Sequence, residues 1–298
     1  MIRVLDALKE AEQQKSTTLS ASEPEHIDSI IAEKVQGEEV AASEIPSQPR
    51  NALSISPCLE FEELQQRCAK PGWKLDADSN VFINRPSFAP CAEQFRTLRS
   101  RLYRFRGLKP IRTILVTSTV AGEGKTFVAL NLAQAMVQQN EQPALLIDAD
   151  LRISRMHVVM GAPVALGLTD YLRGEADEFS IIQSNSQNNL FFIPAGNQVA
   201  NPAELLANRR LRTLVDRLAP LFDWVIFDAP PVLPVSDTSI LGELCDGVIM
   251  VVHAGSTAFD LAQMACQEFR ANLLGVVLNR AEEEAKKYAD YAYYGVKR

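Results

Sequence analysis

From about residue 92 onward, short apolar runs alternate with amphipathic stretches. The runs at 113–117 (TILVT), 144–148 (ALLID), 189–193 (NLFFI), 224–228 (WVIFD), 247–252 (GVIMVV) and 273–278 (LLGVVL) have no regular polar face. Such runs predict strands covered on both sides, as in a parallel sheet. Between them, apolar positions recur at helical spacing over 125–139, 203–218, 237–244 and 258–271. A further helix is predicted over 92–105, with Phe95, Leu98 and Leu102 on its core side. The alternation predicts a doubly wound, mostly parallel α/β domain over 81–280, with helices on both faces of the sheet.

The first 80 residues read differently. Ile2, Leu5 and Leu8 place an apolar stripe on a short helix over 2–15, either a docking peptide or a frayed terminus. From Ser16 to about Pro57 the chain is rich in Ser, Glu, Ala and Gln and has no aromatic residue. Such a stretch buries too little apolar surface to offset its ordering entropy, so it reads as a disordered linker. Residues 1–80 are therefore expected to be an N-terminal extension and 281–298 a C-terminal tail.

Composition removes several function classes. With 47% hydrophobic and 22% charged residues, the 298-residue chain has the profile of an ordinary globular protein. Its formal net charge is -7, and residues 1–50 alone hold five Lys/Arg against ten Asp/Glu. Neither part is basic enough to predict a nucleic-acid binder. No apolar run approaches the ~20 residues of a membrane span, and the N-terminus has no signal-peptide core. Cys58, Cys68, Cys91, Cys245 and Cys266 form no Cys-x-x-Cys pair, which fits idle thiols in a reducing compartment. His26, His157 and His253 lie too far apart in sequence to suggest a His/Cys metal site.

The chemistry concentrates after the first predicted strand, in Ser118-Thr119-Val120-Ala121-Gly122-Glu123-Gly124-Lys125-Thr126. A strand, this loop and a helix in direct succession are the setting of a Walker A phosphate loop, which makes the domain a P-loop NTPase. Gly122 and Gly124 let backbone N–H groups curl toward a phosphate, and the helix start adds partial positive charge. Lys125 is placed to reach the β- and γ-phosphates, and the Thr126 hydroxyl to ligate Mg²⁺. One departure is that Thr119 stands where the general pattern has its first glycine. Asp148 and Asp150 follow the next strand, with Arg152 two residues on, and Asp228 ends the 224–228 run before Pro230-Pro231. Acids at the carboxyl ends of parallel strands face the ligand crevice, where they can hold a metal or activate a nucleophile.

Together, Gly-Glu-Gly-Lys-Thr, Asp148-x-Asp150-x-Arg152 and Asp228-x-Pro-Pro resemble the bacterial tyrosine kinases of capsule and exopolysaccharide assembly. Glu93, Arg96 and Arg99 match that family's Glu-x-x-Arg-x-x-Arg self-association motif. At ~100° per residue, with Phe95 at zero, Arg99, Arg96 and Glu93 fall at roughly 40°, 100° and 160°, beside the apolar stripe rather than on it. The tail carries Tyr288, Tyr291, Tyr293 and Tyr294, four of the chain's six tyrosines, and resembles the family's acceptor cluster. The likeness covers about residues 85–294.

It implies Mg-ATP-dependent autophosphorylation on tyrosine between subunits of a ring-like homo-oligomer. A separate membrane-embedded activator of the chain-length-regulator type and an opposing tyrosine phosphatase are implied as partners. A cytoplasmic location at the inner face of the membrane follows. In that reading Lys125, Asp148, Asp150, Asp228 and Arg152 carry catalysis, while Thr126, Asp148 and Asp228 hold the metal. Residues 119–126 (Thr119, Val120, Ala121, Gly122, Glu123, Gly124, Lys125 and Thr126) cradle the nucleotide, and Asn279 touches the adenine. Which acid is the base stays open.

Two rivals remain. A partitioning or positioning ATPase carries a second lysine five residues before the invariant one, and Val120 stands there. A non-catalytic ATP-binding scaffold would have lost a motif acid or lysine, and none is lost. An iron–sulfur carrier ATPase would need a Cys-x-x-Cys pair.

Overall fold

The computed structural model describes residues 59–83, 89–138, 142–163, 166–185 and 189–281. The expected helix at 2–15, the linker at 16–57 and the four tail tyrosines lie outside the described residues.

Seven strands form one sheet: β1 (Thr113–Ser118), β2 (Ala144–Asp148), β3 (Gln183–Ser184), β4 (Leu190–Ile193), β5 (Trp224–Asp228), β6 (Gly247–His253) and β7 (Leu273–Asn279). Their order is β3-β4-β2-β5-β1-β6-β7. All neighbours pair in parallel except β3 with β4. This is the doubly wound sheet that the unbroken apolar runs require. Alternate residues feed two cores: Ile114, Val116, Ile226 and Trp224 into one, Leu115, Val225 and Phe227 into the other. Because β1, β2 and β5 are buried on both faces, neither face needed a polar stripe.

On one face lie α2 (Pro90–Arg106), α3 (Lys125–Val137) and the short α4 (Met156–Met160), preceded in the chain by α1 (Phe61–Arg67). Ala92, Phe95, Leu98 and Leu102 are the buried stripe of α2, as their spacing predicts. The other face is covered by α1, α5 (Leu168–Arg173), α6 (Glu178–Ile181), α7 (Pro202–Leu206), α8 (Arg209–Leu218), α9 (Asp237–Leu244) and α10 (Phe259–Glu268). The helix expected over 203–218 is two helices. Asn208 breaks it in an extended conformation, and its side chain caps α8 by accepting from the Arg210 N–H at 3.0 Å.

The expected boundary at residue 81 needs correction, because residues 59–80 belong to the folded unit. Leu59, Leu64 and Cys68 are buried in the core, and Ala69 bridges Gln183 beside the short β3. The Trp73 indole N–H donates to Gln183 Oε1 at 3.1 Å, and its ring meets Phe192 edge-on at 6.1 Å. Further on, Asn131 of α3 accepts from the Val81 N–H at 2.8 Å and donates to the Ser79 carbonyl at 2.9 Å. The segment thus ends on the helix that opens with Lys125. Its contacts are long-range and mostly single residues, so no periodicity announced them. Leu64→Ala is expected to lower unfolding free energy by about 2–5 kcal/mol in urea denaturation. A value near zero would return the segment to the extension.

Candidate active site

The loop after β1 turns through Gly122 (φ 86°) and Gly124 (φ 95°), the second being the N-cap of α3. Gly124 is required twice over. Its φ is left-handed, and a Cβ would sit 2.1 Å from the Asn279 amide nitrogen. That amide donates to the Glu123 carbonyl at 2.8 Å. Asn279, expected at the adenine, therefore backs the phosphate loop.

Lys125 and Thr126 open α3 and face the ends of β2 and β5. The Lys125 ammonium lies 2.7 Å from Asp150 Oδ2 and 3.6 Å from Asp228 Oδ1. Thr126 donates its hydroxyl to Asp228 Oδ2 at 2.7 Å. Asp148 and Asp228 are direct register partners on adjacent strands. Asp148 is held by the Ser154 hydroxyl at 2.6 Å and by the backbone N–H groups of Asp150 (3.2 Å) and Met156 (3.3 Å). The fold thus brings together Lys125, Thr126, Asp148, Asp150 and Asp228, which lie up to 103 residues apart in sequence.

Arg152, expected among the catalytic residues, turns to a different acid. Its guanidinium forms a bidentate pair with Asp237, at 2.7 and 2.9 Å. Asp237 is wholly buried at the start of α9. The pair ties the loop after β2 to the segment after β5. Sequence reasoning missed Asp237, which acts across 85 residues, and Ser154, which lies six residues from Asp148, because neither belongs to a motif.

The electrostatics are lopsided. Asp148, Asp150 and Asp228 are 0, 4 and 1% exposed, and Lys125 is the one cation that contacts this set among the described residues. Burial, then the Asp228 charge, pushes the Asp148 carboxyl up to about 7. Burial also raises Asp228, with the Lys125 charge opposing it. For Lys125, burial alone would lower the ammonium, but Asp228 and Asp150 outweigh it and hold it above its ordinary value. Fully ionised, three carboxylates around one ammonium would leave about two negative charges, and a divalent cation would balance them and favour that ionised form. Thr119 Oγ1 and Asp228 Oδ1 are buried with no hydrogen-bond partner among the described residues. The donor set fits Mg²⁺, which takes one or two carboxylates plus phosphate oxygens and water rather than a full protein cage.

Because the folded state binds the Asp148 proton more tightly than the unfolded chain does, stability from this group falls as pH rises from about 4 through about 7. In protein stripped of nucleotide and divalent cation by a chelator, Asp148→Asn is expected to flatten that part of the Tm–pH curve. Equal slopes for variant and parent would count against the assignment.

A phosphate loop facing acids at the ends of neighbouring parallel strands defines a nucleotide-binding P-loop domain, and the comparisons with known proteins agree. The family described as AAA domain matches residues 111–268. The tyrosine-protein kinase YwqD of Bacillus subtilis is 34% identical over 209 residues, covering 69% of this chain and 87% of that protein. The tyrosine-protein kinase CpsD of Streptococcus agalactiae is 33% identical over 207 residues, covering 68% and 89%. The solved kinase domain of the Escherichia coli tyrosine kinase ETK superposes with a TM-score of 0.61 at 30% identity, covering 67% and 83%. The chain belongs to the bacterial tyrosine-protein kinase family.

Proposed function

We propose that this chain is a Mg-ATP-dependent tyrosine autokinase of exopolysaccharide or capsule assembly, modifying its own C-terminal tyrosines between subunits. The observation that carries the reading is the Lys125 ammonium set between Asp150 and Asp228, directly after a phosphate loop. Bound Mg-ATP would supply the transferable phosphoryl group and a divalent charge. Lys125 offsets negative charge developing on the phosphates. Thr126, Asp148 and Asp228 would hold the cation, since Asp148 and Asp228 are paired in register. Asp150 is then the acid left to take the phenolic proton, which at an ordinary tyrosine pKa near ~10 needs a positioned acceptor. Intact-mass and phosphotyrosine analysis after incubation with Mg-ATP tests the reading: no mass gain would refute it.

Residues 81–280, extended back to 59 by the packing above, are the kinase unit in this reading, with 281–298 as acceptor tail. Assembly is read from α2. Glu93 is exposed and pairs with Arg96, whose guanidinium lies 5.7 Å from the Phe82 ring. Arg99 instead donates to the Ala135 carbonyl of α3 at 2.7 Å, so it fastens α2 to its own domain. Replacing Glu93 and Arg96 by Ala is expected to shift unphosphorylated protein toward monomer in sizing experiments while ATP binding persists. Adding Arg99→Ala should lower stability besides. An unchanged mass distribution would remove this surface from the interface.

Among the described residues no helix is long and apolar enough to cross a membrane. In this reading a separate membrane-embedded activator of the chain-length-regulator type recruits the chain, and a tyrosine phosphatase reverses its modification.

A further inference from the structure

The phosphate loop contains one acid whose side chain the nucleotide reading leaves unused. Glu123 is 2% exposed, and a carboxylate buried that far is costly unless fully bonded. Its Oε2 accepts from the Val120 N–H at 2.8 Å, and its Oε1 from the His253 N–H at 3.2 Å and from the Thr257 hydroxyl. Its backbone carbonyl accepts from Asn279. Val120 belongs to the loop itself, His253 ends β6, Thr257 lies in the turn before α10, and Asn279 ends β7. One residue therefore bonds the phosphate loop to the ends of β6 and β7. Among the described residues no hydrogen bond or ion pair joins Glu123 to Lys125, Asp148, Asp150 or Asp228.

We propose that Glu123 is a positioning residue, a latch that holds the phosphate loop in its binding curl, with the Thr257 hydroxyl as its other half. The inference rests on the nucleotide reading of residues 119–126. Two physical needs meet in this latch. Gly122 and Gly124 both hold left-handed φ, and a loop with two such glycines has many alternative conformations when unrestrained. Binding then costs the ordering of the loop, unless other bonds have ordered it already. The second need is electrostatic. A carboxylate two residues before Lys125 is buried, and three donors from Val120, His253 and Thr257 replace the water it has lost and fix its oxygens in place. The Thr257 hydroxyl matters most for a test, because it can be removed without touching the loop or changing side-chain shape.

The experiment is a titration of the full chain with a fluorescent ATP analogue and Mg²⁺, with adenosine as competitor. Thr257→Val and Glu123→Ala are each expected to weaken analogue binding about tenfold, the scale of a lost hydrogen bond to a charged group. Thr257→Ser should restore parental affinity. The double variant Glu123→Ala/Thr257→Val should bind no more weakly than Glu123→Ala, since both changes open one latch. Adenosine, which has no phosphates, should compete equally well in all of them, whereas general loss of structure would weaken it too. Parental affinity in Thr257→Val, additive losses in the double variant, or a parallel loss for adenosine would overturn the proposal. Lys125→Met in the same titration keeps the two readings apart. If that variant binds like the parent, the nucleotide site is misassigned; if it fails while Thr257→Val binds normally, only the latch is.

Discussion

Incubated with Mg-ATP, the Lys125→Met chain is expected to incorporate phosphate on tyrosine roughly 10²–10³-fold more slowly than the parent, the scale of losing one preorganised charge partner in a transition state. No other basic residue lies between Ser118 and Thr126, so no neighbour can substitute. Methionine keeps an unbranched side chain, one atom shorter, but removes the charge. It also leaves Asp148, Asp150 and Asp228 buried together without the ammonium now 2.7 Å from Asp150 and 3.6 Å from Asp228. Without the ammonium, Asp148 and Asp228 should be pushed further toward their protonated forms, so binding of Mg-ATP should weaken along with catalysis. Circular dichroism confirms that the variant is folded, and phosphotyrosine blotting against time gives the rate. Parental rate and affinity in a folded variant would exclude Lys125 from the site.

Changing Tyr288, Tyr291, Tyr293 and Tyr294 to Phe is expected to remove most phosphotyrosine from the chain while leaving transfer to an added tyrosine-rich peptide. The two tyrosines that would remain are poorly placed as acceptors. Tyr103 donates its hydroxyl to Asp223 at 2.7 Å and packs edge-on against Trp224 at 5.3 Å. Tyr171 is 5% exposed, with the Arg210 guanidinium 4.8 Å from its ring. Burial raises both phenols above their ordinary value, which disfavours the anionic oxygen. Each phosphate adds about -1.5 to -2 charge at neutral pH, so four add roughly -6 to -8. That equals or approaches the whole chain's formal -7. Several such tails on one assembly would repel, so phosphorylated protein should elute as smaller species and reassemble after phosphatase treatment. Tandem mass spectrometry showing phosphate at Tyr103 or Tyr171 with an unmodified tail would overturn the assignment.

The strands and their flanking loops were legible because their signals are local. Apolar runs such as Trp224–Asp228 needed no context to be read as doubly covered strands. Those at 144–148 and 224–228 matched the structure residue for residue, the other four to within one residue at one end, and only the two-residue β3 gave no such signal. Glycine spacing and the adjoining strand and helix likewise marked the phosphate loop, and the three acids were found because each ends or follows an apolar run. Helix ends were less legible: Asn208 caps α8 through one side-chain bond inside an otherwise periodic stretch, which a 3.6-residue pattern does not register.

By itself, then, the sequence determined the sheet-forming runs, the phosphate loop and the identity of its acids, all features written within some ten consecutive residues. Tertiary structure decided which partners those residues take. It sent Arg152 to Asp237, 85 residues away, turned Asn279 onto the Glu123 carbonyl, and folded 59–80 against β3 and α3. Each of those outcomes depends on a buried polar group finding its hydrogen-bond partner. A buried group takes whichever donor the packed fold brings within about 3 Å, and that distance is not encoded by spacing along the chain.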